Sequence, residues 1–370
     1  MTVRGGISRL IEKVKDACPK HIEFHVIATC SEYIGDGRLW TWCVQPVVFL
    51  RSVIQVLVVA VSRRSTIFHV HFSERGSTLR KGIICVILRA LRCRYVVQGH
   101  ACQDALFHEW VPAFVRRILL WGICGARYVI ALTRFWRDYY AEKLKISPDK
   151  LLVLPNPANI PLSIPDRTVR SGLRLLFLGR VGERKGAFDL IRAFAALPNA
   201  VRQECHLTLA GDGETAIASD LLAQLGCSGQ ASVLGWVGGQ DVDRLLAEAD
   251  VLLLPSRGEG MAFAVLEGMA WGLAVVTSSV GGADEFLEAG RNCIVVDPGD
   301  VPGISRAIID LACNPELRLR LGAGARNSAG RFSIDRYMAA LTRLYEDLAE
   351  GSSTSEPISA PELEKPLHHG

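Results

Sequence analysis

Two glutamates stand eight positions apart in GEGMAFAVLEGMAWG, residues 258–272, forming an E-x7-E pair of Glu259 and Glu267. From Ala262 to Trp271 every residue except Glu267 is apolar or glycine, so a helix here has no polar face and must be buried between a sheet and its neighbours. A buried carboxylate is costly unless it accepts hydrogen bonds, and a vicinal diol such as a ribose offers two donors to its two oxygens. Backbone amides or a nearby arginine would satisfy it equally, and Glu267 alone does not separate these readings. Glu259 lies one loop earlier, at a rim where its carboxylate suits a second polyol.

A second constellation is GRVGERKG, residues 179–186, which puts Arg180 and Lys185 in a glycine-bearing loop just ahead of a helix. Glycine lets backbone approach an anion, a helix N-terminus favours negative charge, and the two cations balance a diphosphate without a metal. A charged loop that is simply solvated fits the same string, and the G-x-x-x-x-G-K-[ST] phosphate loop is missing. Gly5-Gly6, ahead of a helix over residues 7–17, makes either a plain tight turn or a second phosphate-facing one. His100 follows directly on a strand-like segment, in place for a structural or a catalytic imidazole.

These side chains need elements that end together. Short Val- and Ile-rich runs at residues 22–29, 67–72, 95–98, 128–132 and 151–154 read as strands covered on both faces, with helical stretches between them. A parallel, doubly wound sheet follows from that alternation. Residues 155–172 carry four prolines and mark a domain boundary. Beyond it, strands at 173–178, 206–210, 251–254 and 273–277 each run into a loop bearing glycines and charges and then a helix, the fourth helix following SSVGGADE. Ligands of an open parallel sheet sit outside the carboxyl ends of its strands, so these loops should converge on one rim. The expected layout is α/β with two domains, 1–160 and 171–331, then a final amphipathic helix at 332–349 and a disordered, Pro- and Ser-rich tail at 350–370.

At 370 residues, with 49% hydrophobic and 22% charged residues, the chain is globular, and collagen, coiled-coil and wholly disordered classes are excluded. Its 11 cysteines form no C-x-x-C pair and have no histidine cluster beside them, which argues against a zinc site and a secreted disulfide scaffold. The first eleven residues lack the apolar core of a signal peptide, so the expected location is a reducing cytoplasm. The net charge of +4 hides an asymmetry: residues 1–170 carry +13 and residues 171–370 carry −9. The cations of the basic half are interleaved with apolar runs and no nucleic-acid-binding motif appears, which favours an anionic membrane surface over nucleic acid as its partner. The most apolar stretch, residues 44–62, is interrupted by Gln45, Arg51 and Gln55 and reads as a buried or a membrane-surface helix.

Taken in order, these motifs resemble the retaining glycosyltransferases of family 4, whose GT-B architecture has two Rossmann-like doubly wound domains facing a cleft. The resemblance spans nearly the whole chain: E-x7-E at Glu259 and Glu267, GRVGERKG as the phosphate-binding loop, GDGE from Gly211 as the glycine-acid turn, GWV ending at Val237 as the base-proximal segment, PNP at residues 155–157, and Gly5-Gly6-Ile7 as the amino-terminal glycine loop. It implies that Glu267 binds the nucleotide ribose, Glu259 the transferred sugar, and Arg180 with Lys185 the diphosphate. His100 would approach the donor sugar from the first domain, and Gly6 would offer a backbone amide to the phosphate. It further implies a metal-independent transfer with no cofactor, from a nucleotide sugar to a polyprenyl-diphosphate-linked or other cell-envelope saccharide at the inner face of the cytoplasmic membrane. The configuration would be retained by same-face attack, so Glu259 is not a nucleophile. A nucleotide-sugar epimerase of the same fold and a non-catalytic glycosyltransferase-like partner subunit are the competing readings. Two departures from the family pattern stand out: only Met1 to Arg4 precede Gly5, too few for its usual first strand, and Met261-Ala262 replaces an aromatic or Pro followed by a small residue.

Overall fold

The computed structural model describes residues 6–30, 44–62, 66–73, 76–100, 111–167 and 172–350. Gly5 with Met1 to Arg4, for which no first strand is expected, Arg63-Arg64 and the expected tail beyond residue 350 lie outside the described residues. The chain forms two compact units, Met1–Asn156 with Ile334–Gly370, and Pro157–Ser333. The chain crosses between them twice, and the crossings lie side by side: Ala158 N–H donates to the Phe332 carbonyl at 2.7 Å.

In the first unit, helices α1 (Gly6–Asp16) and α2 (Gln45–Ser62) precede a sheet of four parallel strands. These are β1 (Ile67–Phe72), β2 (Arg94–Gly99), β3 (Tyr128–Ala131) and β4 (Leu151–Val153), lying side by side in chain order. The crossovers are α3 (Gly76–Ala90), α4 (Ala113–Cys124) and α5 (Arg134–Leu144). Thr133 caps α5 by accepting the Trp136 N–H, which fixes where the chain leaves β3 and turns into helix. Val70, Phe72, Val97, Val129, Trp136 and Tyr140 make the core between sheet and helices.

The second unit has a six-stranded, all-parallel sheet. Its strands are β5 (Leu173–Leu178), β6 (Cys205–Ala210), β7 (Ala231–Leu234), β8 (Val251–Leu254), β9 (Ala274–Thr277) and β10 (Ile294–Val295). Their spatial order is β10-β9-β8-β5-β6-β7. The chain builds outward from β5 to β7, then restarts on the other side of β5 with β8. That reversal makes the carboxyl ends of β5 and β8 the switch point where such sheets open a crevice. Helices α6 (Ala187–Ala195), α7 (Asn199–Gln203), α8 (Thr215–Gln224), α9 (Gly239–Glu248), α10 (Phe263–Ala270), α11 (Val301–Cys313) and α12 (Pro315–Ala329) complete the unit.

The last helix, α13 (Ile334–Glu350), returns to the first unit. Its Tyr337 hydroxyl donates to Gln98 Oε1 at 3.1 Å, Tyr345 meets His69 at 2.7 Å, and Arg94 reaches the Ala349 carbonyl.

Two expectations need correction, and one open reading narrows. Residues 22–29 are not a strand: they pair with no other strand among the described residues, Glu23 and His25 bond each other at 2.7 Å on the surface, and Val26 is 53% exposed. Alternating Glu and His put polar groups where a central strand needs apolar ones. The fourth helix after SSVGGADE is only a 3₁₀ turn, Ala283–Glu285. Beyond it the Asn292 side chain accepts the Glu288 N–H and donates to the Phe286 carbonyl, a local network that competes with helix. Helix α2 is no buried core helix: Val47, Leu50, Ile54, Leu57, Val58 and Val61 are exposed on one side, while Phe49 and Val56 pack on the unit's core.

Gly211, just past β6, has φ +153°, and a Cβ there would collide with the Gly179 carbonyl oxygen. Gly211→Ala should therefore lower the stability of the second unit by about 1–3 kcal/mol, read as an earlier midpoint in urea denaturation. An unchanged midpoint would show that the two loops do not depend on this close approach.

Candidate active site

The loops at the switch point are stitched together by charge. Lys185 ends the short 3₁₀ turn Glu183–Lys185 and extends Nζ to Glu259, 2.6 Å from Oε1 and 2.7 Å from Oε2. Ser256 Oγ donates to the same Oε1 at 2.7 Å. Both ends of the ion pair are largely withdrawn from water, at 17% and 11% side-chain exposure. Two neighbouring bonds run between the same two loops, and a third ties the second loop to α6. Arg257 N–H donates to the Arg184 carbonyl at 2.8 Å, Arg184 Nη1 donates to the Gly258 carbonyl at 3.2 Å, and Arg257 Nη2 binds the buried Asp189 of α6 at 2.6 Å. Gly186 makes this closeness possible: its φ is +73°, and a Cβ would strike the Pro255 carbonyl.

Arg180 stands differently. Its side chain is 65% exposed and touches Asp212 Oδ2 at 3.2 Å, a surface pair worth little that yields readily to a stronger anion. Backbone bonds from Gly179 N–H to the Ala210 carbonyl and from Val181 N–H to the Asp212 carbonyl join this loop to the turn at Gly211. Gly211 N–H in turn donates to the Gly235 carbonyl, which ties in the segment carrying Val237. Glu267 lies on α10 and is 5% exposed. A recess of about 280 Å³, open mouth included, is lined by Glu259, Met261, Thr277, Ser278 and Gly281, and Ser278 Oγ is buried there without a hydrogen-bond partner among the described residues.

The second unit thus places Arg180, Lys185, Gly211, Val237 and Glu259 on loops at one rim of its sheet, whereas Glu267 is buried within α10 and does not line the recess. His100 and Gly6 lie in the first unit, Gly6 as the exposed first residue of α1 and His100 just past β2. His100 N–H donates to the Phe72 carbonyl, and His100 Nε2 lies 3.0 Å from His71 Nδ1. His69 stacks on His71 with ring centres 4.1 Å apart, so three imidazoles form a row. Burial pulls His69 down to about 4 and His100 to about 3, while burial and then the charges of His69, His100 and Lys81 hold His71 well below its ordinary value. Among the described residues no three His, Cys, Asp or Glu side chains are arranged to hold a metal ion.

Sequence reasoning missed Ser256, Asp212, His69 and His71. The signal for the histidines was IFHVHF, whose two imidazoles fall on one face of a strand. Ser256 and Asp212 carried none, because their partners come from distant loops.

Comparison with known proteins bears on both units. Residues 30–157 match the model described as Glycosyl transferase 4-like domain, and residues 172–314 match Glycosyl transferases group 1. The chain is 36% identical over 172 residues to the lipopolysaccharide core biosynthesis glycosyltransferase LpsE of Rhizobium meliloti, a match spanning 46% of this chain and 48% of that protein. It is 28% identical over 307 residues to alpha-D-kanosaminyltransferase of Streptomyces kanamyceticus, covering 77% and 79%. Its fold matches that of Anabaena HepE, solved in complex with UDP and glucose, with TM-score 0.69 and 18% identity over 93% of this chain and 90% of that one. By both of its domains the chain belongs to the glycosyltransferase families whose models it matches, and its fold is the GT-B fold.

The histidine row yields a pH prediction. Unfolded histidines take up protons near pH 6.5, whereas these folded ones resist them until about pH 4 or below, so the unfolded state binds more protons in that window. The first unit should keep its full stability above about pH 6.5 and lose it progressively as pH falls toward about 4. Urea midpoints measured against pH should show that decline, flattened in His71→Asn. A flat wild-type profile would contradict the burial of these rings.

Proposed function

We propose that the chain is a retaining, metal-independent member of glycosyltransferase family 4 that moves a hexose-like unit from a nucleotide sugar to a lipid-linked or other cell-envelope saccharide. The observation that carries this reading is the Lys185–Glu259 ion pair at the switch point, with Arg180 on the same loop as Lys185 in an exposed pair with Asp212 and Glu267 on the helix that follows. As the glycosidic bond breaks, negative charge builds on the leaving diphosphate, and Arg180 and Lys185 are the cations placed to meet it. Glu259 accepts three hydrogen bonds already and has room for a sugar hydroxyl beside them. Glu267 would take the ribose hydroxyls, and the backbone at Gly211 and Val237 would line the phosphate and base. His100 would approach the donor sugar and Gly6 the phosphate. The leaving phosphate would accept the acceptor's proton as that oxygen attacks on the same face, so no enzymic nucleophile is needed. HepE, solved with UDP and glucose, makes UDP-sugars the first donors to test.

The reading also places the chain on the inner face of the cytoplasmic membrane. Besides the exposed apolar side of α2, Phe114, Ile118 and Trp121 of α4 are exposed, as are Arg51 of α2 and Arg116 and Arg117 of α4. Helix α2 is long and apolar enough to cross a membrane by length and composition. Its other side packs on protein, which favours lying at the surface over spanning.

Released UDP, measured with a panel of UDP-sugars and a lipid-linked saccharide, tests the activity. Turnover should survive EDTA and fall by roughly a hundredfold or more in Arg180→Ala and Lys185→Ala. Strict dependence on added Mg²⁺ or Mn²⁺ would overturn the leaving-group assignment. Glu267→Ala, checked first for folding, should weaken UDP binding by about 1.5–3 kcal/mol, and unchanged affinity would remove Glu267 from the ribose site.

Flotation with phosphatidylcholine vesicles, with and without phosphatidylglycerol, tests the membrane. Binding should need the anionic lipid, weaken with salt, and drop in a Leu50→Glu, Ile54→Glu variant. Equal recovery with both lipids would reject electrostatic docking.

A further inference from the structure

Positive charge collects at one place in the first unit, and among the described residues no carboxylate pairs with it. Helix α3 opens at Gly76 with no acidic residue in its first turn. One turn on come Arg80 and Lys81. The Arg80 guanidinium folds back over the helix start, its Nη1 lying 3.1 Å from where a Cβ on Gly76 would be. Arg80 Nε is buried and has no hydrogen-bond partner among the described residues. Lys81 Nζ donates to Thr29 Oγ1 at 2.6 Å and, among the described residues, meets no carboxylate. Burial, reinforced by Arg80, pulls the Lys81 ammonium down to about 8. On the sheet side lie His71, close enough to feel the Lys81 charge, and His100, whose buried Nδ1 has no hydrogen-bond partner among the described residues.

Two cations beside the positive end of a helix repel each other and the helix dipole, and withdrawal from water sharpens the cost. A bound anion reverses each of those terms: it takes N–H donors at the helix start, pairs with the guanidinium and the ammonium, and gives an imidazole nitrogen a partner. A carboxylate would use the fork of Arg80 alone. A phosphoryl group has enough oxygens to engage Arg80, Lys81 and the helix start together.

We infer that Arg80 and Lys81, at the start of α3, bind a phosphoryl group of the acceptor. This rests on the reading of the first unit as the acceptor side of a glycosyltransferase. Such a group belongs either to a phosphorylated sugar in solution or to the headgroup of a prenyl phosphate in a membrane, and the chemistry at Arg80 and Lys81 is the same for both.

The test uses the full chain carrying Arg180→Gln and Lys185→Gln, so that the cationic loop of the second unit does not bind the probe. Calorimetric titration with inorganic diphosphate should show binding, accompanied by shifts in the imidazole resonances of His71 and His100. Adding Arg80→Gln and Lys81→Gln should weaken that binding at least about tenfold and abolish the shifts, whereas Arg80→Lys with Lys81→Arg should retain much of both. Two further arms separate the sources: glucose 1-phosphate in solution, and phosphatidylcholine vesicles with or without a long-chain prenyl phosphate. Loss in the Gln variant confined to one arm supports the inference and names the source. Equal binding in all arms with and without the Arg80 and Lys81 changes, or no diphosphate binding at all, overturns it. A transfer assay that fails with every donor while diphosphate still binds at Arg80 and Lys81 would count against the enzymatic reading and leave this one standing.

Discussion

The second unit depends on one ion pair. Lys185 and Glu259 come from loops 74 positions apart, after β5 and after β8, and nothing in the backbone ladder alone would bring them into contact. Sheet topology brings the loop ends near each other, because β5 and β8 are neighbours, and the pair then locks them. Breaking a half-dry pair of this kind by removing one partner strands the other charge, a cost of about 3–5 kcal/mol for a fully buried pair and less here. Ser256 and the Arg257 bonds to Asp189 and Arg184 share the load. The result is a rim on which cations, a carboxylate and glycine backbone are held in fixed relation before any ligand arrives, which is what electrostatic catalysis requires.

The first unit solves a different problem. It buries three imidazoles in a row and holds them neutral, with Tyr345 on His69 and Gln98, in contact with Tyr337, beside them. Polar groups packed this way cost stability unless they serve the site, and they end at the carboxyl edge of β1 and β2, where ligands of parallel sheets bind. The same unit leaves the apolar stripe of α2 open to its surroundings, a patch that a protein free in solution rarely tolerates. On the proposed reading, these two features are what an amphiphilic acceptor would meet.

Much of this was legible in the sequence. Eight of the ten strands among the described residues could be read because buried parallel strands are short and apolar, and the helix holding Glu267 because it has no polar face. Residues 22–29 misled because an apolar count ignores where the polar residues fall within the run. The 3₁₀ turn after β9 was hidden because Asn292, which holds the following loop, acts across four residues in a way no periodicity reports. In the site, residue types were readable and contacts were not: Lys185 was assigned to a diphosphate and Glu259 to a sugar, and their bond to each other emerged only once two distant loops met. His71 was missed because an imidazole within a strand looks like core until the neighbouring strand places His100 against it.

The most direct measurement is a double-mutant cycle on UDP affinity with Lys185→Met, Glu259→Gln and the two together. If the pair builds the diphosphate site, the losses will be non-additive, with a coupling of about 1 kcal/mol or more, because removing either side already unlocks the loops. Additive losses would mean that Lys185 and Glu259 act independently, and the account of a rim locked by their ion pair would be wrong.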